Sequence, residues 1–283
     1  MPNSPLLSLV APPSYAFLKD KLPNANEVRL GLRQGEFQAF LQPKFDLLTG
    51  YVYAVEVLAR WQHPHRGQLG PAEFLPLLSR EQWLDELLFN LMEQGLACQL
   101  RLHGQGRLLG FAFNLCLSQL RNGSFVSRLA ARLREHSLPA STLTFEIIED
   151  GPASASMAEV EQLQALSQLG VRLSMDDFGT GYSSLWRLCQ APFSEIKLAG
   201  EFTRSLDRPG HYRTVIRHAV FLAAQLDVQL VVEGIETEEQ LARLVKMDVR
   251  FGQGYLCAKP MAVANFEGWM KASPTGRKKK AGA

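Results

Sequence analysis

The chain has 283 residues, of which 46% are hydrophobic and 20% are charged. These fractions are typical of a folded globular protein and are too apolar for an intrinsically disordered one. The formal net charge is only +2 at pH 7, so no overall field favours a nucleic acid or a membrane as a partner, and we expect neither. The one basic run, Arg277–Lys280, lies at the extreme C-terminus and is interpreted as part of a solvated tail.

Cysteine usage and the absence of long apolar segments favour a reducing, cytoplasmic location. The four cysteines lie far apart and form no C-x-x-C pair, which excludes the usual spacing of a structural zinc site or a redox motif: Cys98, Cys116, Cys189 and Cys257. Residues 1–13 are apolar but lack a basic start and are interrupted by prolines, so they do not resemble a signal peptide. No apolar run approaches the roughly 20 residues that span a bilayer.

Short β-like runs alternate with longer helical patterns along most of the chain. We expect a short N-terminal appendage over residues 1–28, one compact domain over 29–271, and a basic flexible tail over 272–283. The domain contains eight predicted strands: Phe37–Gln42, Tyr51–Leu58, Gly110–Leu115, Thr142–Ile148, Val171–Met175, Glu195–Leu198, Val228–Val232 and Val249–Gly252. Among the predicted helices, one carries apolar residues every third position from Val160 and stops at Gly170, and another starts in a capping box at Thr237.

Eight strands that alternate with helices over roughly 250 residues predict an α/β fold, a (β/α)8 TIM-like barrel. Only eight residues, 43–50, separate the first two strands, whereas a parallel crossover needs about a dozen or more. We therefore expect an antiparallel hairpin at the start and a barrel with one antiparallel strand. The competing architecture, a doubly wound open sheet, is disfavoured because no glycine-rich phosphate loop follows the first strand.

Most of the predicted strands end in an acid, an amide or a lysine, and in a barrel these ends converge on one mouth. The residues concerned are Glu56, Asn114, Glu146, Glu149, Asp176, Asp177, Lys197, Glu233, Glu236 and Gln253. Crowded carboxylates repel one another unless a cation neutralises them. Because the donors are all hard oxygens, Mg²⁺ or Mn²⁺ is favoured over zinc. The adjacent acids Asp176 and Asp177 suit a two-metal site, an arrangement that clamps both oxygens of a displacement at phosphorus.

These residues occur in motifs that resemble a known family. The segment Glu56-Val57-Leu58-Ala59-Arg60 resembles the signature of EAL domains, the cyclic di-GMP-specific phosphodiesterases of bacterial second-messenger signalling. The resemblance extends over nearly the whole domain and includes Gln42-Pro43-Lys44, Asn114-Leu115, Glu146-Ile147-Ile148-Glu149, Asp176-Asp177-Phe178-Gly179, Ile196-Lys197, Glu233-Gly234-Ile235-Glu236-Thr237 and Gln253-Gly254-Tyr255. Because the motifs appear in order and at predicted strand ends, together they are far more specific than any one of them.

The resemblance implies two Mg²⁺ or Mn²⁺ ions and the hydrolysis of cyclic di-GMP to linear pGpG. By motif match, the first ion would be bound by Glu56, Asn114, Glu146 and Asp176. The second would be bound by Asp176, Asp177 and Glu233, directly or through water. Lys197 would hold the nucleophilic water and Glu233 would be the general base, with Asp177 beside them among the catalytic residues.

Further roles are implied around this centre. Gln42, Arg60 and Gln253 would face the substrate, and Glu149 and Glu236 would support the neighbouring loops. The segment Phe178–Leu185 resembles the family loop that joins the metal site to a dimer interface, so a homodimer is expected.

The chain departs from the family pattern at four positions. Val57, Cys116 and Ile148 replace Ala, Ser and Thr, and Ala199 replaces the Asp that usually follows the lysine by two residues. Only the last change removes a carboxylate. An active phosphodiesterase is therefore the favoured hypothesis, and the alternative is a catalytically weak cyclic di-GMP receptor or protein-interaction module on the same fold.

Overall fold

The computed structural model describes residues 22–148, 157–180, 184–208 and 210–272. Most of the predicted N-terminal appendage and of the basic tail lies outside these residues. The first described helix, α1 (Ala25–Gln34), begins after Asn24, whose side chain accepts a hydrogen bond from the Glu27 amide. The expected boundary at residue 28 thus falls inside this helix, and the division into appendage, domain and tail stays a prediction.

The strands form one sheet that closes on itself, as predicted for a (β/α)8 barrel. The eight barrel strands are β1 (Phe37–Asp46), β2 (Val52–His63), β4 (Gly110–Cys116), β5 (Leu143–Ile148), β6 (Arg172–Phe178), β7 (Glu195–Leu198), β8 (Gln229–Val232) and β9 (Phe251–Gln253). Around the barrel they follow the order β1-β9-β8-β7-β6-β5-β4-β2, and β2 pairs with β1 to close it. Two short strands that were not predicted, β3 (Gly67–Leu69) and β10 (Met261–Ala262), extend the sheet beside β2 and β1.

The reversed strand is β1, which is antiparallel to both of its barrel neighbours, β2 and β9. The hairpin that joins it to β2 is tight because the Asp46 side chain accepts from the amides of Leu48 and Thr49. Gly50 then adopts a left-handed φ of 72°, where a residue without Cβ is favoured. The predicted hairpin and the single antiparallel strand are therefore confirmed.

Helices surround the barrel and are connected to it by short loops. After α1 they are α2 (Pro71–Arg80), α3 (Leu84–Gly104), α4 (Phe125–Glu135), α5 (Met157–Gln168), α6 (Ser184–Gln190), α7 (Gly200–Arg204), α8 (Tyr212–Gln225), α9 (Glu238–Val245) and α10 (Val263–Ala272). The predicted capping box is present at the start of α9, where the Thr237 side chain accepts from the Gln240 amide. Among the described residues, no helix is both long enough and apolar enough to cross a membrane.

Alternation along the strands separates an apolar outer face from a polar interior. Phe111 and Phe113 of β4 are buried against α3, close enough that a Cβ at Gly95 would lie 2.9 Å from the Phe113 ring. Because side chains alternate along a strand, Asn114 points into the barrel, and its register partner on β5, Glu146, does the same. The outer face thus provides the hydrophobic core, and the inner face provides the site.

Candidate functional site

Polar side chains from four neighbouring strands meet around the Glu56 carboxylate. Asn114 Nδ2 donates to Glu56 Oε1 at 2.9 Å, and Gln253 Nε2 donates to Glu56 Oε2 at 2.7 Å. The same Gln253 nitrogen lies 3.1 Å from Gln42 Oε1. Glu56 lies in the middle of β2 and not at its end, because this strand continues beyond the predicted limit of Leu58 to His63, where it pairs with β1 and β3.

Lys197 lies at the centre of the acidic cluster. Its Nζ lies 2.7 Å from Glu146 Oε2, 2.8 Å from Glu233 Oε1, 2.9 Å from Asp176 Oδ1 and 3.6 Å from Glu56 Oε2. The lysine side chain is 1% exposed, so Lys197 is a buried member of the cluster, and its role in a reaction stays a prediction. Burial alone would lower the pKa of Lys197, but the surrounding carboxylates outweigh it and raise this pKa well above its ordinary value.

Asp177 extends the cluster towards the barrel mouth. Among the described residues, ligand oxygens of Asp176, Asp177 and Glu233 all lie within 4.8 Å of one another. Asp177 adopts a left-handed φ of 49°, and the pairing of β6 with β7 shifts register between Met175 and Phe178. Such a bulge re-aims side chains at the end of a strand, which explains how two consecutive acids both reach one cluster.

The acids of the cluster differ in their pKa values, because their surroundings differ. Burial would raise the pKa of Glu146, but Lys197 and Lys44 outweigh it and lower this pKa to about 2. Burial raises the pKa of Glu233 to about 8, with Asp176 adding to the shift. Burial and then the Asp176 charge raise the pKa of Asp177 to about 6. The cluster therefore holds more carboxylates than its own cations can neutralise.

A second ionic layer, which the sequence interpretation missed, lies next to this cluster. Lys44 Nζ lies 2.7 Å from Glu146 Oε1 and 2.6 Å from Glu195 Oε1. Gln229 Nε2 lies 3.4 Å from Glu195 Oε2 and donates to the Tyr53 hydroxyl at 2.8 Å. Two sequence signals could have indicated this layer: a lysine inside a strand of buried residues, and an acid two positions before Lys197, which in a strand faces the same side.

Three further residues were predicted for the site: Arg60, Glu236 and Glu149. Arg60 is partly buried, with its guanidinium 5.7 Å from the Phe40 ring centre and its Nη1 donating to the Ala59 carbonyl. Glu236 is exposed, and its backbone amide donates to Gln240 Oε1 at the start of α9. Glu149 lies outside the described residues. The site roles of all three stay predictions.

The sequence of this chain is similar to those of a known protein family. Residues 25–260 match the family model described as EAL domain. The chain is 43% identical over 246 residues to the cyclic di-GMP phosphodiesterase RocR of Pseudomonas aeruginosa, with 87% of this chain and 63% of that protein covered. It is 34% identical over 254 residues to the cyclic di-GMP phosphodiesterase NbdA of the same organism, with 87% of this chain and 32% of that protein covered. The chain thus spans less than two thirds of the length of these relatives.

Solved structures agree in fold over most of the chain. The PaMucR phosphodiesterase in complex with c-di-GMP superposes with a TM-score of 0.78 at 31% identity, over 85% of this chain and 98% of that one. An EAL domain protein from Listeria monocytogenes superposes with a TM-score of 0.77 at 25% identity, over 88% of this chain and 98% of that one.

Proposed function

The chain belongs to the EAL domain family, and on this premise we propose that it hydrolyses cyclic di-GMP to linear pGpG with the help of two divalent metal ions. The observation that carries the proposal is the acidic cluster around Lys197, which collects side chains from five strands and the loop after β8 at one mouth of the barrel. Relatives named as cyclic di-GMP phosphodiesterases support the choice of substrate.

The donor set fits hard divalent cations. Six carboxylates surround the ammonium groups of Lys44 and Lys197, which leaves an excess of four negative charges when all are ionised: Glu56, Glu146, Asp176, Asp177, Glu195 and Glu233. Two divalent ions would balance this excess. Because the available donors are carboxylate and amide oxygens, the set favours Mg²⁺ or Mn²⁺.

Two groups of residues are suited to hold these ions. Glu56, Asn114, Glu146 and Asp176 would hold the first, and Asp176, Asp177 and Glu233 would hold the second. In the first group Asn114 contacts Glu56, and Glu146 and Asp176 both contact Lys197. The ligand oxygens of the second group lie within 4.8 Å of one another, which supports this assignment. When bound, the ions would stabilise the negative charge that develops on the phosphate.

The protein's own groups then bind substrate and move a proton. Lys197 offers a fixed ammonium group at the centre of the cluster, suited to orient the attacking water. Glu233 is suited to accept the proton of that water, because its side chain keeps 23% of its surface exposed and lies 2.8 Å from the Lys197 ammonium group. Gln42, Arg60 and Gln253 lie on β1, β2 and β9 beside the metal ligands, which supports their role as substrate-binding residues.

A second candidate function is a cyclic di-GMP receptor with little turnover. It is favoured by Ala199, which is completely buried directly after β7 and supplies no carboxylate where the family pattern has an aspartate. The enzyme is preferred because every other metal-ligand position in the motifs keeps its acid or amide.

We further propose a homodimer formed through the Phe178–Leu185 region and a cytoplasmic location. The dimer is supported by Leu185 and Trp186 on α6, which are 58% and 66% exposed. Large apolar side chains adjacent to each other on a surface are typical of an interface.

Product analysis tests the enzymatic function. Purified protein is mixed with cyclic di-GMP and Mn²⁺, Mg²⁺ or Ca²⁺, and the products are separated by chromatography. We expect linear pGpG with Mn²⁺ and Mg²⁺ but not with Ca²⁺, because calcium takes more ligands at longer distances and holds them loosely.

A second test uses the variant Asp176→Asn. It keeps the shape of the side chain and removes a charge that both proposed metal-binding groups share. We expect kcat to fall more than about 100-fold while the protein stays folded, since removing even an indirect partner of a metal costs about 10–100-fold. Full turnover after treatment with a chelator would contradict the metal mechanism. Substrate binding without any product would favour the receptor.

A further inference from the structure

We infer that Lys44 is a positioning residue, which holds one oxygen of the Glu146 carboxylate so that the other is presented to the metal site. The inference rests on the proposed function and assigns a role to a residue outside the predicted site. Lys44 does not face the mouth: it is 1% exposed, and the contacts described for its ammonium group are with Glu146 and Glu195. Any effect on the site therefore acts through Glu146.

The two oxygens of Glu146 are engaged by different lysines. Lys44 Nζ lies 2.7 Å from Oε1, and Lys197 Nζ lies 2.7 Å from Oε2. Lys197 also contacts Asp176 and Glu233, which places Oε2 on the side of the proposed metal ligands. A cation that binds Glu146 from the mouth would meet Oε2 while Lys44 keeps hold of Oε1.

Lys44 is itself anchored one layer deeper in the barrel. Its second partner, Glu195, precedes Lys197 by two residues on β7, so it faces the same interior one step towards the N-terminal end of the strand. Gln229 on β8 lies beside the other oxygen of Glu195 and donates to Tyr53 on β2. This chain of contacts ties β1 to β7, β8 and β2, so the position of the Lys44 ammonium group is set by several strands.

Burial makes the arrangement rigid. Glu146 is 0% exposed and Glu195 is 2% exposed, so water cannot replace the Lys44 ammonium group at either carboxylate without opening the barrel. Metal-ligating carboxylates are commonly held by such indirect partners, and removal of a partner typically weakens metal affinity or activity about 10–100-fold.

The competing interpretation is that Lys44 only neutralises Glu195 and stabilises the fold. Two variants separate these roles. Lys44→Met removes the ammonium group at similar side-chain length and leaves Glu195 buried without its cation. Lys44→Met combined with Glu195→Gln removes both charges of the pair, so it restores local neutrality without restoring the ammonium group beside Glu146 Oε1.

The experiment measures Mn²⁺ binding in the absence of substrate, by the electron paramagnetic resonance signal of free Mn²⁺, together with the melting temperature. Lys246→Met serves as the control for lost charge, because Lys246 is exposed and follows α9 away from the barrel interior. We expect Mn²⁺ binding about 10–100-fold weaker in the single and the double variant, unchanged in Lys246→Met, and a melting temperature that recovers only in the double variant. In turnover assays, the Mn²⁺ concentration for half-maximal rate should rise by a similar factor, with a much smaller change in kcat at saturating Mn²⁺.

Whether Mn²⁺ binding becomes weaker or stronger in the variants decides between the two interpretations. Loss of a nearby positive charge would by simple electrostatics strengthen the binding of a cation, whereas loss of an ion pair that positions a ligand weakens it. Mn²⁺ affinity that is unchanged or higher in the double variant would overturn the inference while leaving the proposed function intact. Failure of both variants to fold would also overturn it, by assigning Lys44 to stability alone. A wild-type protein that binds no Mn²⁺ would overturn the proposed function and this inference together.

Discussion

At the scale of single residues, two glutamates a few ångströms from the same lysine have opposite proton affinities. Glu146 has each of its oxygens beside a lysine ammonium group, which lowers its pKa to about 2. Glu233 shares only Lys197 and lies beside Asp176, so burial raises its pKa to about 8. Carboxylates whose environments separate their pKa values are suited to different tasks, and Glu146 and Glu233 are likewise proposed to have different roles.

This difference predicts how the stability of the metal-free protein depends on pH. The pKa of Glu233 rises from 4.5 to about 8 on folding, so between these values the folded protein binds a proton that the unfolded chain releases. The free energy of unfolding should therefore fall as the pH rises from 5 to 8. The raised pKa of Asp177 adds a contribution of the same sign up to about pH 6. Urea unfolding in the presence of a chelator measures the effect.

Two comparisons test whether Glu233 is responsible. Glu233→Gln should remove most of the pH dependence between 6 and 8, whereas Glu236→Gln, at an exposed acid nearby, should leave it in place. Excess Mg²⁺ should also flatten the curve, because a bound cation stabilises the charged carboxylates. A wild-type curve that stays level or rises over this range would contradict the assignment.

Ala199 gives a second prediction at this scale. It is completely buried, lies two residues after Lys197 and occupies the position before α7. If the aspartate usual in the family orients Lys197 or a metal ligand, Ala199→Asp should raise kcat by about 10–100-fold with little change in KM. Steady-state kinetics of both proteins measure this effect.

The position of Ala199 also defines the opposing outcome. A residue that precedes a helix can cap its amides, and an aspartate is well suited to do so. A higher melting temperature with unchanged kcat would show that an acid here acts as a helix cap and not through Lys197.

At the scale of elements, the segment after β8 is positioned by close contact between backbones. Gly234 has a left-handed φ of 70°, and a Cβ at this position would lie 3.0 Å from Gly200 Cα and 3.2 Å from its carbonyl oxygen. On the other side, a Cβ at Gly254 would lie 2.1 Å from the Ile235 carbonyl oxygen. Glycine at both positions lets this segment pack between its neighbours, and the segment begins with Glu233.

Gly234→Ala should therefore move Glu233 as well as strain the backbone. We expect a loss of about 1–3 kcal/mol in the free energy of unfolding together with a fall in kcat. The control is Gly106→Ala, because Gly106 has a φ of 77° but nothing within 4 Å of the added Cβ. It should lose stability through strain alone and keep its kcat. Equal kinetic effects in the two variants would contradict a special role of the Gly234 contact.

At the scale of the whole molecule, the barrel is closed by a strand that runs against its neighbours. This strand, β1, is antiparallel to both β2 and β9 and contributes Gln42 and Lys44 to the interior. Outside the barrel, α6 follows β6, the strand of Asp176 and Asp177, and presents Leu185 and Trp186 to solvent. The acidic cluster and the proposed dimer surface are thus linked by the short segment between β6 and α6.

The proposed homodimer can be tested by removing one exposed aromatic side chain. Trp186→Ala should weaken self-association about tenfold or more, since buried tryptophans at interfaces commonly contribute 2 kcal/mol or more. Phe221→Ala is the matched control, because Phe221 is 64% exposed on α8. Sedimentation velocity over a range of protein concentrations measures both. A wild-type protein that stays monomeric at every concentration would contradict the proposal.

Much of this molecule could be predicted from its sequence, because the relevant signals are local. Strand periodicity located all eight barrel strands, and the eight residues 43–50 between the first two predicted strands were too few for anything but a hairpin. The motifs also named most of the side chains that meet around Lys197. The short strands β3 and β10 were not predicted. The limits of some elements were also misjudged, such as the continuation of β2 to His63, which depends on pairing with β1 and β3.

The tertiary structure alone decided which charges touch inside the barrel. Lys44 and Glu195 lie 151 positions apart in the chain, and the strand predicted over Phe37–Gln42 did not reach Lys44. Their contact with each other and with Glu146 depends on the register of strands around a closed barrel, and no local pattern encodes that register. For this reason the sequence by itself determined the fold and named the side chains proposed as ligands at the mouth, while the ionic layer beneath them appeared only once the strands were assembled.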